Sequence, residues 1–195
     1  MMLAGRMGRR NATAAVALAG AAFAAAALTG GGLLAQGAST GKRTARATLV
    51  NGAGDSVGAV RFERRGKSRA LRVTVSVRKL SPGYHGFHVH TVGKCEGPTF
   101  ATAGPHFNPA AAAHGDHAGD MPPLLATRGG KAEARFTTDR FTIAQLRGAD
   151  GSAVMVHAMR DNQANIPKDR YDPDPDAMTL ETGDSGARIA CGPVR

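Results

Sequence analysis

The sequence has 195 residues, of which 42% are hydrophobic and 21% are charged, a balance typical of a globular protein and not of a disordered one. Lysine and arginine total 25 against 15 acidic residues, and this net charge of +10 indicates an anionic partner or substrate. The two cysteines exclude a four-thiolate zinc site and a disulfide-rich scaffold, but they can form one bridge.

The N-terminal segment has the layout of a secretory signal. Three arginines within the first ten residues form a basic start, residues 11–28 are almost entirely apolar, and no further charge occurs before Lys42. We therefore predict a signal peptide at 1–38 and an exported mature domain at 39–195, which would be extracellular or associated with the cell envelope. If the segment were retained, it would instead anchor the chain to a membrane.

The mature domain keeps the basic character of the whole chain. Residues 39–195 contain 22 basic and 15 acidic residues, a net charge of +7. A length of 157 residues is enough for one substantial hydrophobic core. Because exported proteins mature in an oxidising compartment, we expect Cys95 and Cys191 to form a disulfide.

Short strands are predicted along the mature domain by alternating polar and apolar residues. The alternation is cleanest over residues 70–79, where every second side chain is Leu or Val. Similar runs occur at residues 45–50, 56–63, 84–89, 132–137 and 153–157. Turn-forming dipeptides containing glycine separate them, and only residues 141–146 favour a short helical turn. This spacing predicts an all-β sandwich or barrel.

Two long stretches interrupt the strand pattern. Residues 91–121 are rich in Gly, Pro, Ala and His, and residues 160–187 are rich in Asp, Pro, Asn and Gly. Loops of this length in a small domain are either functional or disordered. Since five of the seven histidines lie between residues 88 and 117, we expect the first loop to be functional.

A pair of histidines ends one predicted strand. His88 and His90 are separated by one residue, so the period of a strand places both imidazoles on one face, where they could bind a metal. His157 ends another strand-like run and could supply a further nitrogen ligand. An isolated His-x-His pair is weak evidence, and the interpretation depends on the other histidines.

The first loop adds a second group of candidate ligands. His106 lies in a turn stiffened by two prolines, and His114, His117 and Asp120 follow at intervals of three residues. Three imidazoles and a carboxylate form a donor set suited to tetrahedral zinc.

Taken together, these motifs resemble the Cu/Zn superoxide dismutase family, over about residues 44–192. The resemblance is carried by Gly-Phe-His-Val-His at 86–90, Gly-Pro-His-Phe-Asn-Pro at 104–109, His-Ala-Gly-Asp at 117–120, His157 with Asp161, and Gly-Asp-Ser-Gly-Ala-Arg-Ile-Ala-Cys-Gly at 183–192. It implies a Greek-key fold, an eight-stranded β-barrel or immunoglobulin-like sandwich with two long functional loops. It also implies an antioxidant oxidoreductase that converts superoxide to O2 and H2O2 with copper and zinc as cofactors.

The resemblance also implies roles for individual residues. Copper would be bound by His88, His90, His106 and His157. Zinc would be bound by His106, His114, His117 and Asp120. Asp161 resembles a carboxylate that links His88 to His114, Arg188 resembles a guanidinium that guides superoxide, and Cys95 and Cys191 resemble the internal disulfide of the family. The catalytic residues would be Arg188 and the bridging His106.

Two other functions compete with this interpretation. A strand-borne His-x-His pair with a distant third histidine also occurs in zinc hydratases and hydrolases. A non-catalytic copper- and zinc-binding module with a dismutase fold is the second alternative. We expect superoxide as the substrate, no nucleic-acid partner, and membrane contact only if the signal segment is retained; the oligomeric state is not predicted.

Overall fold

The part of the chain that the computed structural model describes, residues 43–171 and 174–195, contains nine strands. The predicted signal segment at 1–38 lies outside the described residues. The strands are β1 Thr44–Asn51, β2 Ser56–Arg64, β3 Leu71–Val77, β4 Gly83–His85, β5 Phe87–His90, β6 Leu124–Ala126, β7 Ala132–Thr138, β8 Ala153–His157 and β9 Arg188–Pro193. Two short α-helices accompany them, α1 Ile143–Leu146 and α2 Ala177–Thr182.

Seven of these strands form one curled sheet, in the order β5-β8-β9-β1-β2-β3-β7, and β4 pairs with β6 in a small second sheet. The pairings in both sheets are antiparallel. Alternate side chains are buried on β1 as far as Leu49, on β2 from Val60 to Phe62 and on β3 throughout, as the period of a half-buried strand requires. The core that they form includes Leu49, Val60, Phe62, Val73, Val75 and Phe141. The all-β class expected from the sequence is confirmed.

The strand predicted at residues 84–89 is divided in two. β4 ends at His85 and β5 begins at Phe87, and the two strands belong to different sheets. The division falls at Gly86, where a Cβ atom would collide with the side chain of Ser185. Alternation alone does not reveal this break, and the described residues form nine strands where the family resemblance implied eight. The strands β6 and β9 were also not predicted from alternation.

The first long loop is fastened to the large sheet by the predicted disulfide. Cys95 in the loop and Cys191 in β9 are bonded, with their Cα atoms 5.6 Å apart. The bond joins residues 96 positions apart in the sequence, and closing a loop of this length stabilises the fold by about 4–5 kcal/mol in the chain-entropy model. Among residues 43–171 and 174–195, no helix is long and apolar enough to cross a membrane.

Candidate metal centre

The candidate ligands lie around strand β5, because β8 and two segments of the first long loop lie against this strand. β8 pairs with β5 and places His157 near the strand histidines. The first long loop runs back along the other edge, where single bridges join His88 to Asp120 and His90 to His106. The main chain of Val89 completes this contact, because its N–H donates to Gly119 and its carbonyl accepts from Phe107. Loop residues far apart in sequence therefore converge on one strand.

Four imidazoles form the first cluster. One nitrogen from each of its members lies within 4.8 Å of the others, and all four side chains are buried. The members are His88, His90, His106 and His157. His90 Nε2 and His157 Nε2 are 3.4 Å apart, and the rings of His88 and His106 have centroids 3.9 Å apart. The structure thus brings together all four residues predicted to bind copper.

The second cluster shares one histidine with the first. It consists of His106, His114, His117 and Asp120. His106 Nδ1 lies 3.4 Å from His117 Nδ1 and 3.0 Å from Asp120 Oδ1, and His117 Nδ1 lies 3.4 Å from the same oxygen. A tetrahedral zinc ion with bonds of about 2.0–2.1 Å would separate its ligand atoms by about 3.3–3.4 Å. The short segment between His114 and His117 is therefore compatible with a zinc site.

Hydrogen bonds on the outer side of the rings decide which nitrogens face the clusters. His90 Nδ1 donates to the carbonyl of Gly104 at 2.8 Å, and His157 Nδ1 donates to the carbonyl of Gly186 at 3.1 Å. Because a neutral imidazole has a single N–H, the Nε2 atom of each ring keeps a lone pair directed into the first cluster. That arrangement is the usual one for a metal-binding histidine.

The carboxylate of Asp161 orients one histidine ring in each cluster. Its Oδ2 accepts from His88 Nε2 at 2.6 Å, and its Oδ1 accepts from His114 Nε2 at 3.0 Å. The hydroxyl of Ser185 and the main-chain N–H of Gln163 also donate to this carboxylate. One buried side chain therefore orients a histidine of each cluster, which is the role that the family resemblance implies for Asp161.

Three buried ring nitrogens remain without any hydrogen-bond partner: His88 Nδ1, His106 Nε2 and His114 Nδ1. Each faces a cluster, and a buried polar atom without a partner costs free energy unless a ligand satisfies it. The pattern fits two metal ions, one in each cluster. The donor sets differ as well, because the first cluster offers nitrogen alone and the second includes a carboxylate.

Burial favours the neutral, metal-binding form of three histidines of the first cluster, His88, His90 and His157. Desolvation lowers the pKa of His88 and of His90, and it lowers the pKa of His157 to about 3. Burial alone would raise the pKa of Asp161, but hydrogen bonds from His114 and His88 outweigh it and hold that pKa well below its ordinary value. The centre thus combines these three neutral imidazoles with an ionised carboxylate.

Arg188 lies at the start of β9 and contacts the first long loop, which supplies His106 to the first cluster. Its Nη1 donates to the carbonyl of Phe100 at 2.9 Å, and its Nη2 donates to the carbonyl of Gly104 at 2.8 Å. The carbonyl of Gly104 also accepts from His90, so Arg188 and His90 share one acceptor. The partly buried guanidinium of Arg188 is therefore held beside His90, because both side chains donate to the carbonyl oxygen of Gly104.

Comparison with known proteins identifies the family. Residues 56–194 match the family described as copper/zinc superoxide dismutase. The chain belongs to this family. It is 38% identical over 172 residues to the superoxide dismutase (Cu-Zn) of Mycobacterium tuberculosis, covering 80% of this chain and 72% of the relative. It is 34% identical over 148 residues to the superoxide dismutase (Cu-Zn) of Onchocerca volvulus, covering 72% and 90%.

Solved structures of the family share the fold. The Cu/Zn superoxide dismutase of Brucella abortus has a TM-score of 0.60 and 28% sequence identity, covering 78% of this chain and 99% of that one. A superoxide dismutase-like protein of Bacillus subtilis has a TM-score of 0.61 and 30% identity, covering 76% and 96%. The family implies copper and zinc as cofactors, and the two clusters supply donor atoms for both.

Family motifs do not account for every residue that shapes the centre. Arg140 follows β7, and its Nη1 donates to the carbonyls of Gly115 and His117 at 3.1 and 3.0 Å. It therefore holds the short segment that carries His114 and His117. No pattern in the sequence indicates this contact, because Arg140 lies 23 and 25 residues along the chain from the carbonyls that it binds.

Gly183 begins the family motif at 183–192, and the structure shows why glycine stands there. It ends α2 with a φ of 70°, and a Cβ atom there would overlap His114 Nε2 and lie 2.7 Å from Asp161 Oδ1. Glycine is thus required where Asp161 meets His114. His85 lies outside both clusters, and its ring nitrogens contact the main-chain oxygens of His157 and Ser81.

Proposed function

We propose that this chain catalyses the dismutation of superoxide with one copper and one zinc ion. The observation that carries the proposal is the position of His106, which belongs to both clusters and directs a different ring nitrogen toward each. A single imidazole between two cation sites couples them electrostatically. A lone hydrolytic zinc site has no use for this arrangement.

In this proposal the all-nitrogen cluster of His88, His90, His106 and His157 binds copper. The cluster that includes Asp120 binds zinc, together with His106, His114 and His117. Bound copper would supply one-electron redox chemistry, which zinc lacks. The protein supplies the geometry, because Asp161 and the main-chain carbonyls fix the orientation of the rings.

The reaction also requires protons. Two superoxide anions and two protons give one O2 and one H2O2, so a proton donor is needed near the substrate. His106 Nε2 is buried, faces the first cluster and has no hydrogen-bond partner among the described residues. We assign to this atom the holding and delivery of a proton in the part of the cycle in which it would not hold copper, while Arg188 attracts and orients the anionic substrate.

A metal assay with an activity assay tests the proposed function. We expect purified protein supplied with both metals to bind one copper and one zinc ion per chain, and to consume superoxide faster than an equal concentration of free copper. Binding of zinc alone would favour the hydratase or hydrolase alternative. Binding of both metals without superoxide consumption would favour the non-catalytic module.

Substitution of Gly183 tests the zinc assignment. The added methyl group of Gly183→Ala would displace His114 or Asp161, and misorientation of a ligand typically costs about 10–100-fold in metal affinity. We therefore expect weaker zinc binding in competition with a chelator, and a smaller loss of copper binding, because Asp161 also orients His88. Gly129→Ala is the matched control, because a Cβ atom there has only one neighbour within 4 Å, at 3.9 Å. Equal zinc affinity in both variants would contradict the assignment.

We also propose that residues 1–38 are a signal peptide, that residues 39–195 are the mature enzyme, and that the enzyme acts outside the cytoplasm. The Cys95–Cys191 disulfide supports export, since such bonds persist in oxidising compartments. A relative named extracellular superoxide dismutase, from Brugia pahangi, is 32% identical over 157 residues and covers 77% of this chain. N-terminal sequencing of the protein from secreted and membrane fractions would test cleavage, and an uncleaved chain in the membrane would contradict it.

A further inference from the structure

The outer face of the large sheet carries a row of arginines that the metal chemistry does not use. In the strand registers, Arg46 on β1 lies opposite Arg61 on β2, Arg61 lies opposite Thr74 on β3, and Thr74 lies opposite Arg135 on β7. With strands about 4.8 Å apart, this row extends over about 14 Å. All three arginines are exposed.

A shallow depression lies at the β1 end of this row. It has a volume of about 400 Å³, and its lining includes Arg46, Arg61, Arg147, Arg195, Thr74 and Ser76. Four arginines and, with Thr44, three residues that carry a hydroxyl group therefore line one concavity. We call Arg46, Arg61, Arg135, Arg147 and Arg195 the arginine face.

The charge of the arginine face is not balanced within the part of the chain that the structure describes. None of its five arginines takes part in an ion pair with a described acidic residue. Glu133, a neighbour of the row on β7, pairs with Lys131 instead. Like charges directly opposite each other on neighbouring strands destabilise a sheet, so Arg46 and Arg61 carry a cost that an anionic ligand would remove.

We propose that the arginine face binds an anionic polysaccharide, through phosphate, sulfate or carboxylate groups spaced along the polymer. Guanidinium groups form paired hydrogen bonds with such oxyanions, and the hydroxyls of Thr74 and Ser76 can bond to sugar hydroxyls. A row about 14 Å long matches an extended polymer better than a single small anion. The interaction would hold the enzyme near a charged glycan.

The composition of the face argues against other polyanions and against a protein partner. The depression has no aromatic side chain, which single-stranded nucleic acids require for base stacking. The exposed large apolar residues, Tyr84, Leu125, Met159, Met178 and Leu180, are absent from its lining, so it lacks anchors for a membrane or a protein interface.

The test is binding of the metal-loaded full chain to heparin as a probe glycan, measured over a range of salt concentrations. The variant Arg46→Thr/Arg61→Thr/Arg135→Thr removes three charges from the row. The control Arg65→Ser/Lys67→Ser/Arg69→Ser removes three charges from the exposed turn between β2 and β3. Both triple variants keep every residue of the two clusters, so each should consume superoxide at the rate of the wild type. An unchanged rate therefore shows that the variant has folded correctly.

We expect the row variant to bind heparin at least about tenfold more weakly than the wild type. The slope of its log affinity against log salt concentration should decrease by the equivalent of about two to three ionic contacts. The control should lose less than about threefold. Equal losses in both variants would overturn the proposal in favour of net charge alone. Tighter binding of the wild type to duplex DNA or to anionic vesicles at the same ionic strength would overturn the polysaccharide assignment. If the triple variant does not fold, heparin binding is measured instead on the three single variants Arg46→Thr, Arg61→Thr and Arg135→Thr.

Discussion

Superoxide consumption is expected to fall at least about 100-fold when His106 is replaced by alanine, and binding of both metals is expected to weaken. His106 contributes a nitrogen to each cluster, and its Nε2 atom is the one to which we assign the proton. The variant therefore removes one ligand from each metal ion and the proton donor at the same time. Metal content after dialysis and superoxide consumption at equal protein concentration would measure the three losses.

The variant His114→Ala separates the two clusters and serves as the matched control. His114 belongs to the second cluster alone, so this variant should lose zinc and keep copper through the four imidazoles of the first cluster. The comparison with His106→Ala isolates what the shared ring contributes. Unchanged zinc content in His114→Ala would show that another group replaces it in the short loop. Retention of copper and activity in His106→Ala would contradict the bridging role.

Periodicity and motifs predicted the parts of the centre that depend on local sequence. The alternation of residues in β5 places His88 and His90 on one face, and the structure brings both into the first cluster. The roles implied for His106, His157 and Asp161 rested on family motifs, and the structure places these side chains within reach of the others. Family membership thus located contacts that no local pattern contains.

The remaining features depend on the packing of distant segments. The break at Gly86 arises from the approach of Ser185, almost one hundred residues later in the chain. Arg140 contacts the main chain of the zinc loop, and carbonyl positions cannot be read from residue types. The arginine row required the register of four strands, which single-strand alternation does not supply. Each of these features would require knowledge of tertiary contacts.

Substitution of Arg188 tests whether the centre is a working dismutase or a metal store. The guanidinium stays cationic although burial lowers its pKa, and its hydrogen bonds to Phe100 and Gly104 fix it beside His90. A fixed positive charge raises the local concentration of an anionic substrate, by about 10–1000-fold in the on-rate where steering is strong. We therefore expect Arg188→Ala to be about tenfold slower at low salt, and Arg188→Glu to be slower still.

The dependence of the rate on ionic strength distinguishes steering from a structural effect. Salt at about 0.15 M screens charges beyond roughly 8 Å, so the rate of the wild type should fall as salt rises. The rate of Arg188→Ala should fall less, and that of Arg188→Glu should fall least or rise, because its charge repels the substrate. Arg188→Lys keeps the charge without the forked hydrogen bonds, so it should retain the salt dependence of the wild type at a lower rate. All four proteins should bind equal copper, since Arg188 is not a member of either cluster. Equal rates with equal salt dependence at equal copper loading would remove Arg188 from the mechanism and favour the metal store.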